Sequence, residues 1–384
     1  MTKAFIIAAK RTAVLTRAKN PDQGFGNLQA HELMAPLIKD ILNQVNIDPN
    51  NIDQVIAGNA LYGGGNPARM AALLAGLPAQ IPSLTIDSQC CGGVDSVGLA
   101  ANIIKSGQAD VIVAGGLESY SRSPRRYKRA LDSGSKDTEY LRPPFAPNEN
   151  EDPDMLASAA NLAEQYSVSR ESQEIYAIYS HLKAVKNRDK LEQEILPVNG
   201  HRYDSYARNL NRRACQRLSI LYGTEETGLS AATIATEADG AAALLICSES
   251  FLKKVDQQDG HNILEIIGYA NAGCTPQFPA LGAIAATEKL LSKSKIRADQ
   301  ISTVEIMEAF AIQAMLFNQN FGFPEDKINK KGGAIARGHP IGASGSINLV
   351  RLFYELENQP KNSLGLAAIA AAGGLGASIL VKAT

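Results

Sequence analysis

Two adjacent cysteines stand where an apolar stretch of the sequence gives way to glycines and then to a helix-forming segment. In SLTIDSQCCGGVDSVGLAANIIKSG, residues 83–107, Cys90 and Cys91 directly precede Gly92 and Gly93. Unpaired backbone N–H groups and the helix dipole stabilise a thiolate at a helix N-terminus. The same N–H groups can stabilise an oxyanion formed on an attacked carbonyl. Cys90 is therefore a candidate nucleophile, although a buried cysteine in a tight turn is the more common structure.

One histidine lies in a comparable glycine-rich turn. The segment GGAIARGHPIGASGS places His339 after an apolar stretch, with Pro340 restricting the backbone. A cysteine and a histidine on facing turns can act as nucleophile and base. A phosphate-binding loop is the alternative for this turn, but the Gly-Lys-Ser/Thr of a P-loop is missing. The other four histidines have helical or polar surroundings typical of surface residues: His31, His181, His201 and His261.

The elements around the two turns recur in both halves of the chain. Residues 51–61 resemble residues 300–310, and residues 111–119 resemble residues 368–378. Each half thus has a strand, a small-residue turn, a helix and a strand that ends in Ala-Gly-Gly-Leu. Continuous apolar strands that alternate with helices predict parallel βαβ units. The repeat predicts a duplicated α/β unit whose two turns face each other, and chance recurrence of common patterns is the alternative.

The segment from 118 to 238 has a different composition. It begins with a charged stretch rich in Pro and Ser and continues with helical patterns, in which Ser169 is the expected N-cap of a helix. Such insertions often form lids over active sites. We therefore predict three parts. They are an N-terminal half (1–117 and 239–258), an inserted lid or loop domain (118–238) and a C-terminal half (259–384).

The composition excludes several classes of protein. The 384 residues carry a net charge of −1, so neither nucleic acid nor an anionic membrane is an expected partner. The five cysteines are scattered, and none has the spacing of a disulfide framework or a zinc site. The apolar run after Met1 is too short for a signal peptide, and no later run reaches the ~20 residues of a spanning helix. We expect a cytoplasmic protein without metal or membrane insertion.

Together these motifs resemble the thiolase family along nearly the whole chain. The stretches that carry the resemblance occur in the family's order: IDSQCCGGVDS, AGGLESYSRSP, NLAEQYSVSRESQE, EADGAAALLI, MEAFAIQA and GGAIARGHPIGASGS. The resemblance implies a five-layered αβαβα fold with a lid domain, assembled as a homodimer or a dimer of dimers. It also implies acyl transfer, with coenzyme A and acyl-CoA as substrates and no permanently bound cofactor.

The resemblance also assigns roles to individual residues. Cys90 matches the nucleophile that takes the acyl group, and His339 matches the histidine that activates it. Cys91 occupies a place where the family usually has a small residue, so we interpret it as a packing residue. The substrate-binding positions that the resemblance implies are Met155, Ala235, Ala309, Phe310 and Ala372.

Two positions depart from the family pattern in ways that affect the chemistry. Ala370 stands where the family has a second cysteine, which is the acid/base of the carbon–carbon step. Met307 stands where the family has an asparagine that fixes a water beside the enolate oxygen. An alanine cannot exchange a proton and a methionine cannot hold that water. Cys274 is a possible substitute base, with an inert thiol as the alternative.

Smaller departures occur elsewhere. Residues 233–236 replace the family's Asn-Ala-Ser-Gly, and Asp87 and Asp154 replace commoner polar residues. The backbone N–H groups of Cys90 and Ala372 are unaffected by these changes, so an amide hole for the tetrahedral intermediate can persist. Acylation of Cys90 therefore has all the groups it needs, whereas the carbon–carbon step lacks two.

The sequence thus predicts an acyltransferase of the thiolase family. Its nominal reaction interconverts acetoacetyl-CoA and CoA with two acetyl-CoA through an acyl-Cys90 intermediate, and the Claisen and thiolysis step is impaired. Enzymatic alternatives use only the acyl-Cys90 half-reaction, in acyl transfer, thioester hydrolysis or decarboxylative condensation. The alternative from another class is a degenerate, non-catalytic subunit that binds CoA thioesters.

Overall fold

The computed structural model describes residues 2–132, 134–255 and 262–384. The strands in these residues are β1 (Ala4–Arg11), β2 (Leu15–Thr16), β3 (Gln54–Gly58), β4 (Ser83–Ile86), β5 (Val111–Glu118), β6 (Arg126–Lys128), β7 (Thr138–Tyr140), β8 (Ile220–Tyr222), β9 (Leu229–Ser230), β10 (Ala238–Ser248), β11 (Leu264–Gly273), β12 (Ile301–Ile306), β13 (Leu364–Ala371) and β14 (Leu375–Ala383). The helices are α1 (Ala30–Gln44), α2 (Pro67–Leu74), α3 (Gly92–Lys105), α4 (Met155–Gln165), α5 (Arg170–Lys186), α6 (Arg212–Cys215), α7 (Glu249–Leu252), α8 (Gly282–Ser294), α9 (Ala311–Phe321), α10 (Ala334–Arg337) and α11 (Ile341–Leu356).

The main sheet contains strands from both halves of the chain. Its order is β12-β13-β14-β11-β1-β10-β5-β3-β4, and β2 pairs with β10. The strands β3, β4 and β5 run parallel to one another, as do β12 and β13, and these are the βαβ units that the sequence predicts. The remaining pairs along this order are antiparallel. A short pairing of β1 with β11, at Phe5 and Ile6, joins the two halves.

Helices form three layers around the two halves of the sheet. The central layer is α3 packed on α11, and apolar residues of both helices share one core with the strands of both halves. On the outer face of the first half lie α1 and α2, whose apolar residues form a second core. The outer face of the second half is covered by α8 and α9. This five-layered αβαβα arrangement confirms the predicted α/β fold.

The contact between α3 and α11 requires glycine at two positions. A Cβ atom on Gly93 would lie 2.5 Å from the backbone nitrogen of Ser346, and one on Gly345 would lie 2.7 Å from that of Val94. The two backbones therefore touch without intervening side chains. Since Cys90 precedes α3 and His339 precedes α11, this contact brings the two glycine-rich turns together.

The segment between β5 and β10 leaves the main sheet and returns to it. Because Glu118 pairs with Gly240 in the antiparallel β5–β10 ladder, the chain re-enters the sheet beside the strand from which it departed. Within the excursion, Ser169 caps α5 by accepting a hydrogen bond from the Ser172 N–H, as predicted. Apolar residues of α4 pack on α9 and on Phe310. The predicted domain boundaries remain predictions, and the one at 258/259 lies outside the described residues.

The prediction that the isolated histidines are surface residues was wrong for His181. This side chain is fully buried, and its Nδ1 accepts a hydrogen bond from the Arg208 backbone N–H at 3.3 Å. Burial lowers its pKa to about 4, so the imidazole is neutral near pH 7. The physical reason is that the 206–208 segment folds over α5, a long-range contact without a local sequence pattern. His31 and His201 are half-buried, and His261 lies outside the described residues.

The next observations concern membrane-spanning helices, metal sites and disulfide bonds. Among the residues that the structure describes, no helix is long and apolar enough to cross a membrane. The same residues contain no group of three or more His, Cys, Asp and Glu side chains placed to hold a metal ion. All five cysteines are unpaired thiols, and Cys91 is buried in the central core, as its interpretation as a packing residue requires.

Candidate active site

Cys90 lies in a tight turn between β4 and α3. The turn is a single 3₁₀ segment, Gln89–Cys91, and Gln89 has a φ of 54°, in the left-handed region that a side-chain-bearing residue rarely adopts. Asp87 holds this conformation, because its Oδ1 accepts hydrogen bonds from both the backbone N–H and the side-chain amide of Gln89 at 2.9 Å. The strained residue directly before Cys90 is therefore anchored, which fixes the position of the thiol.

The structure brings Cys90 into contact with His339. The Cys90 Sγ lies 3.1 Å from Nε2 of His339, and the histidine is 9% exposed. The backbone N–H of His339 donates to the Thr236 carbonyl at 2.8 Å, which ties the histidine turn to the segment that precedes β10. The two residues that the sequence predicts as nucleophile and base, 249 positions apart, thus form a hydrogen-bonded pair.

Ser344 sets the tautomer of the histidine. Its hydroxyl donates to the Pro340 carbonyl at 3.1 Å and therefore accepts the hydrogen bond that joins it to Nδ1 of His339 at 2.6 Å. With the proton on Nδ1, the lone pair of Nε2 points at the Cys90 thiol. His339 is thus oriented as a base toward Cys90. The sequence analysis missed Ser344, although it lies in the same glycine-rich motif.

Burial keeps this pair neutral in the resting protein. It raises the pKa of Cys90 to about 12, and the negative charges of Glu118 and Asp87 act in the same direction. Burial and the neighbouring Arg337 lower the pKa of His339 to about 3. Backbone N–H groups lower this pKa, as expected at the start of a helix, but desolvation outweighs them. The proton must move to His339 as the thiol attacks.

Two backbone amides face the sulfur of Cys90. The backbone N–H groups of Cys90 itself and of Ala372 both lower the pKa of the thiol and so oppose the effect of burial. Ala372 lies just beyond the end of β13, so the donors come from opposite halves of the molecule. Donors in this position can stabilise the oxyanion of a tetrahedral intermediate formed at the sulfur.

A small cavity of about 20 Å³ lies beside Cys90. It is lined mainly by small and apolar side chains, and six of the nine predicted site residues contribute to its wall: Cys90, Met155, Ala309, Phe310, Ala370 and Ala372. The methyl group of Ala370 faces this space without offering a proton donor or acceptor. The structure therefore gathers the predicted residues from α4, from the segment before α9 and from the end of β13 at one point.

Three other residues considered in the sequence analysis lie outside the cavity wall. Ala235 donates its N–H to the Ala309 carbonyl at 2.9 Å and so supports the wall from behind. The Met307 side chain is fully buried in the central core, and its thioether is only a weak hydrogen-bond acceptor. The Cys274 sulfur contacts the Phe278 carbonyl at 3.6 Å, and burial raises its pKa, as expected of an inert thiol.

Glu308, directly after Met307, ties several elements together. Its carboxylate accepts hydrogen bonds from Tyr176 Oη at 2.8 Å, Ser180 Oγ at 2.9 Å, Asn329 Nδ2 at 2.5 Å and the Ile335 N–H at 3.1 Å. It thus joins the end of β12 to α5 and to α10, which leads into the His339 turn. A lone glutamate at the end of an apolar strand is the sequence signal for this role, and the sequence analysis did not use it.

Glu118 has the corresponding position at the end of β5. It accepts hydrogen bonds from the Asn59 side chain at 2.9 Å and from the backbone N–H groups of Ala60 and Gly342, both at 3.0 Å. Burial raises its pKa to about 7 despite these donors. Because Gly342 lies in the first turn of α11, Glu118 fixes the start of the helix that follows His339.

The chain is similar to known proteins along nearly its whole length. Family models described as the N-terminal and C-terminal domains of thiolase match residues 4–250 and 261–383. An acetyl-CoA acetyltransferase of Cupriavidus necator is 34% identical, and the alignment covers 100% of both chains. The crystal structure of the Bacillus anthracis acetyl-CoA acetyltransferase has a TM-score of 0.88 at 27% identity, covering 100% of this chain and 99% of that one. Human mitochondrial 3-ketoacyl-CoA thiolase in complex with CoA has a TM-score of 0.88 at 27% identity, covering 100% and 98%.

The raised pKa of Cys90 predicts its alkylation behaviour. Below the thiol pKa the thiolate fraction grows about tenfold per pH unit. Alkylation of Cys90 by iodoacetamide should therefore rise continuously from about pH 7 to about pH 10, as followed by peptide mass spectrometry. The half-buried Cys274 provides the internal control for reagent access. A plateau of the Cys90 rate below about pH 8 would show a resting thiolate–imidazolium pair and contradict the prediction.

Proposed function

We propose that this acyltransferase, which belongs to the thiolase family, forms an acyl-Cys90 intermediate from acyl-CoA. Its proposed nominal reaction is acetyl-CoA C-acetyltransfer. The observation that carries the proposal is the 3.1 Å contact between Cys90 Sγ and His339 Nε2. Its support is the orientation of the imidazole by Ser344 and the two amides that face the sulfur. Coenzyme A and acyl-CoA are the proposed substrates.

The first half-reaction follows from these groups. Nε2 of His339 accepts the thiol proton while the sulfur attacks the thioester carbonyl carbon, and the carbonyl oxygen gains negative charge. The N–H groups of Cys90 and Ala372 stabilise that oxyanion. Collapse of the intermediate breaks the bond to the CoA sulfur, which takes the proton back from His339 and leaves. The product is an acyl thioester on Cys90 and free CoA.

The second half-reaction is proposed to be impaired. Carbon–carbon bond formation requires proton removal from a second acetyl group and stabilisation of the resulting enolate. Ala370 lines the cavity but cannot accept a proton, and Met307 is buried in the core. Loss of a comparable oxyanion donor costs about 10²–10³-fold in rate. We therefore propose that acylation is much faster than the Claisen and thiolysis steps.

A second candidate function has support in the same cavity. A decarboxylative condensation generates its carbanion by loss of carbon dioxide, so it requires no separate base at position 370. Hydrolysis or simple acyl transfer from acyl-Cys90 likewise uses only the groups that are present. A non-catalytic subunit that binds CoA thioesters is disfavoured, since such a protein has no need for the oriented contact between Cys90 and His339.

The proposed assembly is a homodimer formed at the free edge of the main sheet. β4 is the last strand on its side of the sheet, and α2 packs beside it. Leu84 of β4 is 40% exposed, and the α2 residues Met70, Leu73 and Leu74 are 44–50% exposed. A second copy that pairs edge to edge with β4 would satisfy the open backbone groups and cover this apolar surface. A dimer of dimers is the further possibility.

Intact-protein mass after mixing with acetyl-CoA tests the proposed function. The expected result is one acetyl adduct that is absent from the Cys90→Ala variant. His339→Asn should slow adduct formation by roughly 10²–10⁴-fold, because the general base is lost. Ser344→Ala should have a smaller effect in the same direction. Absence of both an adduct and released CoA, with acetyl and longer acyl groups alike, would contradict the proposal.

Restoring the family's residues at positions 307 and 370 tests whether these positions limit the Claisen and thiolysis steps. The double variant Met307→Asn/Ala370→Cys should raise the rate of acetoacetyl-CoA thiolysis by at least about 10²-fold, while acylation of Cys90 changes little. Ala370→Ser is the matched control, since it adds similar volume without a thiol. Thiolysis by the wild-type protein at the rate of the double variant would contradict the claim that these positions limit the reaction.

The assembly proposal predicts the effect of a single charge. Leu84→Lys should convert the dimer to a monomer in light scattering coupled to gel filtration, because a lysine at the strand edge disfavours edge-to-edge pairing. Leu131→Lys is the control, since Leu131 is also exposed but lies in the inserted segment. A dimer that survives Leu84→Lys unchanged would place the interface elsewhere.

A further inference from the structure

The turn that carries Cys90 is anchored at its first residue, Ser88. The backbone carbonyl of Ser88 accepts a hydrogen bond from the Cys91 N–H at 3.2 Å, which closes the chain around Cys90. The Ser88 side chain makes no capping bond to this turn. Its hydroxyl instead donates to a carboxylate oxygen of Asp95 at 2.5 Å, in the first turn of α3. Ser88 therefore ties the nucleophile's turn to the helix that follows it.

The other carboxylate oxygen of Asp95 is held from the second half of the molecule. Tyr269 of β11 donates its hydroxyl proton to this oxygen at 2.6 Å. Asn271 sets the direction, because its side-chain N–H can only donate and lies 3.1 Å from the same hydroxyl oxygen. Burial and the negative charge of Asp95 raise the pKa of Tyr269, so the phenol keeps its proton. A chain of hydrogen bonds thus runs from β11 through Asp95 to Ser88.

The ring of Tyr269 is fixed by its contact with α3. It lies on the helix at Gly98, where a Cβ atom would come within 2.4 Å of two ring carbons. Gly98 lies three residues after Asp95, so both residues occupy the same face of the helix. The bare backbone at Gly98 therefore lets the ring approach closely enough for its hydroxyl to reach Asp95.

Asp95 is better shielded from water than Asp87, which anchors the turn at Gln89. Asp87 is exposed, whereas Asp95 is partly buried. Burial raises the pKa of Asp95, and the hydrogen bonds from Ser88 and Tyr269 oppose that effect. Hydrogen bonds to a carboxylate are stronger than those between neutral groups, and they are stronger still where water competes less for the partners. Asp95 is thus the stronger of the two anchors.

We propose that Asp95, oriented by Tyr269, is a positioning residue for Cys90. By holding Ser88, it fixes the closed turn and keeps the Cys90 Sγ within 3.1 Å of His339 Nε2. Asp95 is not part of the cavity wall beside Cys90, so it acts on the rate of acylation and not on the binding of acetyl-CoA. This inference rests on the acylation of Cys90 proposed above.

Removal of single hydroxyl groups tests the proposal through the rate of acetyl adduct formation. Ser88→Ala and Tyr269→Phe should each slow the reaction at saturating acetyl-CoA by roughly 10–100-fold, because a small displacement of the thiol is enough. The acetyl-CoA concentration that gives half the maximal rate should stay the same. Ser88→Thr keeps the hydroxyl and should restore most of the wild-type rate.

Two hydroxyl groups far from the turn provide matched controls. Ser248→Ala removes a serine hydroxyl that donates to the carboxylate of Asp110. Tyr354→Phe removes a tyrosine hydroxyl that donates to the Ala9 carbonyl at 3.0 Å. Both control variants should form the adduct at the wild-type rate. Losses as large as those in the two test variants would indicate a general loss of stability and would overturn the proposal.

A double-mutant cycle tests whether the three residues act as one chain. In an Asp95→Ala background, Ser88→Ala and Tyr269→Phe should cause little further loss of rate, because the carboxylate that they contact is already absent. Losses that multiply as if the residues were independent would contradict the connection through Asp95.

Alkylation by iodoacetamide tests the position of the Cys90 thiol without acyl chemistry. In Ser88→Ala the thiol should move from His339 toward solvent, so its pKa falls and its alkylation at about pH 8 becomes faster. Cys91 is buried in the central core and should remain unmodified, which shows that the fold is intact. Unchanged alkylation of Cys90 in Ser88→Ala would overturn the positioning role. Wild-type protein that is alkylated at Cys90 but never acetylated would instead contradict the proposed function.

Discussion

The contact between α3 and α11 is the constraint on which the active site depends. At Gly93 and Gly345 the helix backbones touch, and one added methyl group at either position would cost about 1–3 kcal/mol through overpacking. If side chains separated the two helices, the Cys90 turn would also move away from the His339 turn. The hydrogen bond between Cys90 Sγ and His339 Nε2, now 3.1 Å long, would then be broken. The central layer of the fold thus acts as the positioning device for the chemistry.

Burial determines how that chemistry must proceed. The same desolvation that raises the pKa of Cys90 lowers that of His339, so the low-dielectric surroundings disfavour the charged pair before substrate arrives. The amides of Cys90 and Ala372 contribute when negative charge moves from the sulfur to the substrate oxygen. A site with fixed donors and a neutral nucleophile stabilises the transition state more than the ground state, as catalysis requires.

The sequence was informative where a local pattern encodes the structure. The apolar strands, the glycine-rich turns and the internal repeat predicted the α/β fold and the meeting of Cys90 with His339. Long-range packing was not visible in the same way. Burial of His181 by a distant segment, and desolvation strong enough to reverse the expected pKa shift of Cys90, depend on contacts between residues far apart in the chain. The position of Glu118 at the end of an apolar strand is a sequence signal, but its partners Asn59, Ala60 and Gly342 come from two distant segments and are known only from the structure.

The buried charges connect the inserted segment to the catalytic turn. Arg11 on β1 reaches both Glu194 and Asp204 of the insertion, and Arg337 lies two residues before His339. Such buried ion pairs give little net stability, because desolvation of the charges offsets their attraction, but they disfavour any other placement of the insertion. Hydrophobic residues at these positions would pack without requiring one particular orientation of the insertion. The charged cluster therefore fixes the orientation of the insertion relative to the His339 turn.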